Sequence, residues 1–254
     1  MSERASSKPG PRITAAILVI GDEILSGRTK DANIGAIADH LAPLGIDLKE
    51  VRVVADEAAA IIAALDALRH SFSYVFTTGG IGPTHDDITA DSVAKAFGVA
   101  IDVDPQAVAV MEAYYSGRGI ALTPARLRMA RIPVGATLIH NVISAAPGFM
   151  IGNVIVMAGV PAIMRTMLDD ATQHLRRGAP VSSLTIDVHH AEGEIAELFA
   201  SHAKAYTDIA MGSYPQRTGN RLWTQLVLRS PDKDRLALAG RTLTALLQAA
   251  KLIK

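Results

Sequence analysis

The chain has 254 residues, of which 49% are apolar and 4% aromatic, with 25 Lys+Arg, 25 Asp+Glu and no cysteine. This length predicts a main domain with a smaller appendage, and an aliphatic core favours a parallel sheet covered by helices over an aromatic-rich β-sandwich. The zero formal charge gives no bulk attraction for nucleic acid or an anionic membrane, and the lack of cysteine excludes disulfides and thiolate chemistry.

The N-terminal stretch, residues 1–12, reads MSERASSKPGPR and has no apolar segment of the kind found in signal peptides or anchors. We predict that it is a disordered tail. No later run approaches the roughly 20 apolar residues that cross a bilayer. We therefore expect a cytoplasmic protein without a membrane partner.

Apolar runs alternate with segments of helical spacing over the first part of the chain. Strands are predicted at Ile13–Ile20, Ile46–Val54 and Ser73–Thr78, and helices at residues 34–44, 58–68 and 89–97, the last capped by Thr89. This β-α-β-α-β-α order predicts a parallel sheet with right-handed crossovers.

The next part of the chain is less regular. Residues 105–132 are predicted to be helical, with breaks at Gly117–Gly119 and before Pro124. The apolar runs 149–151 and 154–157 flank Gly152-Asn153, which indicates a tight hairpin. Pro161 suits the first turn of a helix that runs to about residue 175. Residues 13–177 thus form one predicted α/β domain.

A second pattern follows a linker at residues 176–180. The β-α-β-β-α order of residues 181–254 fits a small α+β domain of KH-like shape. Nucleic-acid binding is not favoured there, because the segment has no Gly-x-x-Gly loop between helices and little net charge. We expect instead that this domain makes a contact in a homo-oligomer.

The strongest chemical signal is TTGGIGPTHDD at residues 77–87, between a predicted strand and a predicted helix. Gly79, Gly80 and Gly82 permit positive φ and close approach of a ligand, and successive N–H groups of such a turn cradle phosphate. Thr78 and Thr84 add hydroxyl donors. A glycine turn without a ligand is the alternative, but the His85-Asp86-Asp87 continuation favours a functional site.

Two familiar nucleotide motifs do not fit. His85 stands where a dinucleotide fingerprint needs its third glycine, and no glycine loop is followed by the Lys-Ser/Thr pair of a P-loop. A nicotinamide-dependent dehydrogenase and a Walker-type NTPase are therefore rejected.

Asp22 and Glu23 follow the first predicted strand, whose end shares a sheet edge with the glycine turn. We expect them to approach Asp86 and Asp87. Carboxylates beside a phosphate cradle imply Mg²⁺ or another divalent cation, which would polarise a pyrophosphate or activate water. In the alternative interpretation, Asp22 or Asp87 caps a turn and Glu23 is solvated.

Four segments together resemble the molybdopterin-binding (MoaB/Mog-like) family, and within it the N-terminal domain of competence/damage-inducible protein A. These segments are GDEILSG at 21–27, TGGIGPTHDDIT at 78–89, APGF at 146–149 and AGVP at 158–161. The resemblance implies a three-layer α/β/α fold for roughly residues 13–175. The long form in this family carries a further amidase domain, whose activity is not expected here because the chain ends at Lys254.

The resemblance assigns binding roles to particular residues. It implies a pocket built from Thr78, Gly79, Gly80, Gly82, Pro83, Thr84, Ser26, Pro147 and Gly148, with Asp22, Glu23, Asp86 and Asp87 near the ligand. From the residues alone, Pro147-Gly148 could simply turn the chain.

Two functions share this site. The first is binding of a phosphorylated pterin of the molybdopterin type. The second is divalent-metal-dependent hydrolysis of a nucleotide pyrophosphate such as ADP-ribose or FAD, in which Asp22 or Asp87 would hold the metal or orient water. In both cases the partner is a small phosphate ester.

Overall fold

The computed structural model describes residues 12–219 and 221–254, so the predicted tail lies outside the described residues except for Arg12. The described chain divides into two compact units, the first ending at Gly178 and the second comprising Ala179–Lys254. No helix in the described part is long and apolar enough to cross a membrane.

The first unit is built on a mostly parallel sheet. Among residues 12–178 its strands are β1 (Ile13–Ile20), β2 (Ile46–Val54), β3 (Tyr74–Thr78), β6 (Thr137–Ile139), β7 (Gly148–Ile151) and β8 (Val154–Met157). Their order is β2-β1-β3-β8-β7-β6, in which β2, β1, β3 and β8 are parallel and β7 and β6 run antiparallel to their neighbours. A separate antiparallel pair joins β4 (Ile101–Val103) to β5 (Arg131–Pro133).

Helices cover both faces of this sheet. They are α1 (Asp22–Leu25), α2 (Asn33–Leu41), α3 (Ala58–Ser71), α4 (Thr89–Phe97), α5 (Pro105–Ser116), α6 (Pro124–Leu127) and α7 (Pro161–Ala171). Because strand side chains alternate, Leu18 of β1 packs with α3, α4 and α5, whereas Ile17 packs with α2 and α7. The predicted three-layer α/β/α class is thereby confirmed.

The region after β4 differs from the prediction of a mostly helical segment at 105–132. The helix α5 ends at Ser116, before the glycines, and the chain then forms only the short α6, a 3₁₀ turn and β5. Pairing of Ile132 opposite Asp102 makes residues 131–133 extended. By contrast, the hairpin around Gly152-Asn153 is confirmed.

Thr89 was expected to cap α4, but it is the first residue of the helix and Ile88 occupies the cap position. The Thr89 hydroxyl instead donates a 3.0 Å hydrogen bond to the Gly79 carbonyl. The predicted cap is therefore wrong, because α4 begins one residue earlier than expected and Thr89 lies inside its first turn.

The second unit is the predicted β-α-β-β-α domain. Its elements are β9 (Ser182–Val188), α8 (Glu192–Ala205), β10 (Ala210–Thr218), β11 (Arg221–Ser230) and α9 (Lys233–Ala249). The strands form an antiparallel sheet in the order β10-β11-β9. The inward-facing Leu226 and Leu228 of β11 pack with Ile195 of α8 and Leu243 of α9.

Candidate functional site

The turn that ends β3 admits only glycine. Gly79 has φ +103° and Gly80 has φ +67°. A Cβ on Gly79 would lie 2.0 Å from the carbonyl oxygen of Ile20, and one on Gly80 would lie 2.2 Å from Oγ1 of Thr89. Both distances are far below van der Waals contact, so the turn presents bare backbone at the carboxyl end of the sheet.

The loop that follows is held by Asp87. Oδ2 of Asp87 accepts hydrogen bonds from the backbone N–H of Thr84 at 2.8 Å and from its hydroxyl at 2.5 Å. The same carboxylate lies against Gly82, where a Cβ would be 2.6 Å from Oδ2. Asp87 thus closes a turn, as the alternative interpretation has it, while His85 and Asp86 are exposed.

A second set of carboxylates lies at the ends of β1 and β2. Asp22 donates its backbone N–H to Oδ2 of Asp56 at 2.9 Å, and Asp56 donates its own to Oδ1 of Asp22 at 3.4 Å. Burial raises the pKa of Asp56, and the charges of Asp22, Glu23 and Asp86 raise it further. These four acids therefore share one electrostatic environment. Asp87 is not among the charges that raise the pKa of Asp56.

The acids do not form a ready metal site. Within residues 12–219 and 221–254, no group of three or more His, Asp or Glu side chains is arranged to hold a metal ion. A divalent cation at this edge would need oxygen atoms from a bound ligand in addition to carboxylates, which is the usual situation for Mg²⁺ with phosphates.

One cavity, here called cavity 1, lies beside Gly80 and Gly82. It measures about 370 Å³ including its open mouth and is also lined by Asp87, Pro147, Phe149, Arg128 and Arg131, among others. Arg131 binds Asp91 through two hydrogen bonds of 2.7 and 2.8 Å. Arg128 is exposed, and its guanidinium group has no hydrogen bond or ion pair with another described residue, although its backbone bonds to Ala125 and Arg131. Cavity 1 therefore combines bare backbone with an unengaged guanidinium group.

A second cavity, here called cavity 2, lies on the α2 side of the same turn. It measures about 350 Å³ with its mouth, and its lining includes Thr78, Gly79, Glu23, Asn33 and Gly159. The turn is thus shared, with Gly80 facing cavity 1 and Gly79 facing cavity 2. Asp87 lines the first cavity, Glu23 the second, and Asp22 neither.

The remaining predicted residues have other surroundings. Pro83 and Thr84 are exposed in the loop. Ser26 follows α1 and donates its hydroxyl to the Glu23 carbonyl at 3.3 Å. Gly148 is in β7, where a Cβ would lie 2.3 Å from the Val156 carbonyl oxygen, so its glycine serves strand packing.

Sequence reasoning missed several residues of this region, namely Asp56, Asn33, Arg128 and Arg131. Asp56 had a detectable signal, because it follows the predicted strand 46–54 and so must lie at the same sheet edge as Asp22. The other three have no local motif around them: Asn33 begins α2, Arg128 begins a 3₁₀ turn and Arg131 begins β5.

The fold and site define an α/β protein with two cavities at the carboxyl end of a mostly parallel sheet. Residues 16–177 match the family described as a probable molybdopterin binding domain, and residues 180–254 match the FAD synthase middle domain. The first match spans more than half of the chain, so the chain belongs to the molybdopterin-binding-domain family.

The chain is also similar to individual proteins. A protein of Metallosphaera sedula is 36% identical over 174 residues, which are 66% of each chain. A protein of Saccharolobus islandicus is 32% identical over 210 residues, 80% of each chain. The crystal structure of the protein CinA, of unknown function, from Thermoplasma acidophilum has 33% identity and a TM-score of 0.58, and the match covers 63% of this chain and 98% of that one.

Proposed function

We propose that the chain binds a phosphorylated pterin of the molybdopterin type, with its phosphate group in cavity 1. The observation that carries this proposal is the placement of Gly80, Gly82 and Arg128 around one cavity. Membership of the molybdopterin-binding-domain family supports the pterin part of the ligand.

The charges around cavity 1 support a phosphate there. Asp91 is already paired with Arg131, and Thr84 fixes the orientation of the Asp87 carboxylate, which keeps its negative charge in the lining. Arg128 is left as the cation with no protein partner among the described residues. A guanidinium group binds phosphate through charge-assisted hydrogen bonds, so this site does not require a metal ion to receive an anion.

Calorimetry tests the proposal with molybdopterin and with a stable pair of probes, a pterin-6-methyl phosphate and its dephosphorylated form. We expect molybdopterin to bind, and the phosphorylated probe to bind at least about tenfold more tightly than the other. Absence of binding by molybdopterin would refute the proposal. Equal affinities of the two probes would refute the phosphate site.

The second candidate function is divalent-metal-dependent hydrolysis of a pyrophosphate such as ADP-ribose or FAD. The specific observation in its favour is the concentration of negative charge around Asp56, which a cation would relieve. Asp22, Glu23 and Asp86 are the carboxylates available to such a cation together with phosphate oxygens. The similarity of residues 180–254 to the FAD synthase middle domain is a reason to include FAD among the substrates.

A screen of ADP-ribose and FAD with Mg²⁺, Mn²⁺ and Co²⁺ tests this candidate. Asp22→Asn is expected to lower the rate by about 100-fold if Asp22 orients water or metal. Asp87→Asn keeps an oxygen acceptor for Thr84. Comparing its hydrolysis rate with that of Asp22→Asn shows which of the two acids the reaction needs. Absence of metal-dependent hydrolysis by the unmodified protein excludes the candidate.

A further inference from the structure

The strand β2 forms one edge of the main sheet and turns part of its backbone away from its neighbour. Among the described strands it pairs only with β1. The Gly21 N–H donates a hydrogen bond to the Val54 carbonyl oxygen, so the backbone groups of Val54 face β1. Because this direction alternates along a strand, the groups of Arg52 also face β1, whereas those of Val51 and Val53 face away. A strand added at this edge would bond to Val51 and Val53.

The outer part of β2 carries two exposed valines on one face. Val51 and Val53 are 38% and 37% exposed, and alternate residues of a strand point to the same side of the sheet. Proteins often protect edge strands from pairing with lysine side chains and bulges. Lys49 is the extra residue of a bulge against β1, and its Nζ lies 3.1 Å from Oδ2 of Asp47. These features act at the start of β2 and leave residues 50–54 as a regular strand.

The charges on the opposite face of β2 complement themselves. Nε of Arg52 lies 2.6 Å from Oε1 of Glu50. Antiparallel pairing of two copies of β2 about a two-fold axis at Val51 puts each Glu50 opposite the partner's Arg52. The four charged side chains then alternate in sign around the axis. Registers centred on Arg52 or on Glu50 put like charges opposite each other, which is destabilising.

We propose that β2 is a homodimer contact, in which two copies of the chain pair antiparallel about Val51. The two Val51 residues exchange backbone hydrogen bonds, and the main sheets of the two copies become one continuous sheet. The occupant of this edge is a second copy of the chain because the charge pattern of β2 matches its own reverse. The contact goes beyond the proposed function, since no residue of β2 lines cavity 1 or cavity 2.

Sedimentation velocity of the full chain over a dilution series tests the contact. We expect the unmodified protein to dimerise reversibly. Glu50→Arg and Arg52→Glu each convert two opposite-charge pairs into like-charge pairs, so each should raise the dimer dissociation constant at least about tenfold. An equal mixture of the two variants should form heterodimers, because every facing pair is again opposite in sign. Glu112→Arg, at an exposed position of α5, is the matched control and should dimerise like the parent.

Position-specific crosslinking tests the register. The chain has no cysteine, so Val51→Cys and Val53→Cys each introduce a single thiol at positions of nearly equal exposure. In the proposed pairing the two Cα atoms at Val51 are about 5.5 Å apart. Val53 lies opposite the partner's Lys49, so its two copies are about 14 Å apart. A short bismaleimide should therefore crosslink Val51→Cys into a dimer and leave Val53→Cys mostly monomeric on a denaturing gel.

Three results would overturn the proposal. The first is an unmodified protein that stays monomeric at every concentration, a measurement that does not depend on the folding of a variant. The second is a dimer whose dissociation constant neither charge reversal changes, or a mixture of the two variants that forms no heterodimer. The third is equal crosslinking at the two cysteine positions, which would indicate random collision.

Discussion

The backbone N–H of Asp22 donates a 2.9 Å hydrogen bond to Oδ2 of Asp56, which ties together the loops after the neighbouring strands β1 and β2. The Asp56 N–H returns a longer bond of 3.4 Å to the Asp22 carboxylate. The two acids are thus brought close because each satisfies a backbone donor of the other. Burial raises the pKa of Asp56, the hydrogen bond from Asp22 lowers it, and the charges of Asp22, Glu23 and Asp86 raise it.

Asp56→Asn is expected to stabilise the protein at neutral pH. The raised pKa means that the native state binds the Asp56 proton more tightly than the unfolded state, so stability falls as pH rises from the ordinary carboxyl pKa through the raised one. Asparagine removes the charge and keeps an oxygen for the Asp22 N–H. The thermal midpoint of the variant should exceed that of the parent at pH 7, and the gain should vanish below about pH 3.

The exposed Asp39 of α2 provides a control for the loss of one negative charge. Asp39→Asn should leave the pH dependence of the thermal midpoint nearly unchanged. An Asp56→Asn protein that is less stable than the parent at pH 7 would contradict the electrostatic interpretation.

Gly79→Ala is expected to be far more damaging than Gly135→Ala. Both glycines have positive φ, +103° and +86°. A Cβ at Gly79 would overlap the Ile20 carbonyl, whereas one at Gly135 would have no atom within 4 Å. Urea unfolding should show a loss of about 1–2 kcal/mol for Gly135→Ala from backbone strain alone, and a clearly larger loss for Gly79→Ala. Equal losses would show that the turn can move away from β1.

Thr89→Val is expected to destabilise the turn because it removes the hydroxyl group while nearly keeping the shape of the side chain. The side chain is fully buried, and its hydroxyl donates a hydrogen bond to the Gly79 carbonyl oxygen. Removing the hydroxyl takes this donor away from the carbonyl. Urea unfolding should show a loss of about 1–3 kcal/mol for Thr89→Val. Thr89→Ser keeps the donor and should lose less. A valine variant as stable as the parent would show that this hydrogen bond does not stabilise the turn.

Arg128→Gln is expected to weaken binding of a phosphorylated pterin and not of its dephosphorylated form. A charge-assisted hydrogen bond contributes about 1.5–3 kcal/mol, which corresponds to roughly tenfold or more in affinity. Calorimetry of both ligands measures the difference. Arg118→Gln is the matched control, because Arg118 already bonds the Tyr114 carbonyl and does not line cavity 1. A uniform loss for both ligands would indicate a structural role for Arg128.

His202→Gln is expected to make the stability of the second unit less sensitive to a fall in pH. His202 is 3% exposed and lies 3.1 Å from the Ala239 carbonyl through Nε2. Burial lowers the pKa of His202, so its stabilising effect is complete above the unfolded pKa, near 6.5, and is lost as pH falls through the lowered value. Glutamine keeps an N–H donor without this titration.

Trp223 is the only tryptophan and belongs to the second unit, so its fluorescence follows the unfolding of that unit. The parent should lose stability between pH 7 and pH 5, and His202→Gln should lose less. The exposed His189 gives the control variant His189→Gln, whose unfolding midpoint should follow that of the parent; the midpoint and not the fluorescence intensity is compared, because the ring centroids of His189 and Trp223 are 6.4 Å apart. An unchanged acid dependence in His202→Gln would assign the titration to another group.

The long elements could be predicted from the sequence because their periodicity is local. The strands 13–20 and 46–54 have the predicted bounds, and α4 ends at Phe97 as predicted. The short strands β4, β5 and β6 were missed, since three residues carry no measurable period and become extended only by pairing with distant partners.

The site could be predicted in part. The turn at Gly79-Gly80 was visible because its backbone conformation requires glycine. The assignment of Asn33 and Arg128 to separate cavities could not be predicted, because a shared sheet edge does not reveal which face a side chain occupies. A homo-oligomer, a cytoplasmic location and a metal ion stay predictions.

The fit of Gly79 against Ile20 also limits how this protein can change its ligand. A library that randomises position 79 would return only glycine among folded clones, since even one methyl group meets the neighbouring strand. A change in what the two cavities can hold must therefore come from lining positions such as 33 and 128, because position 79 has no room for a side chain.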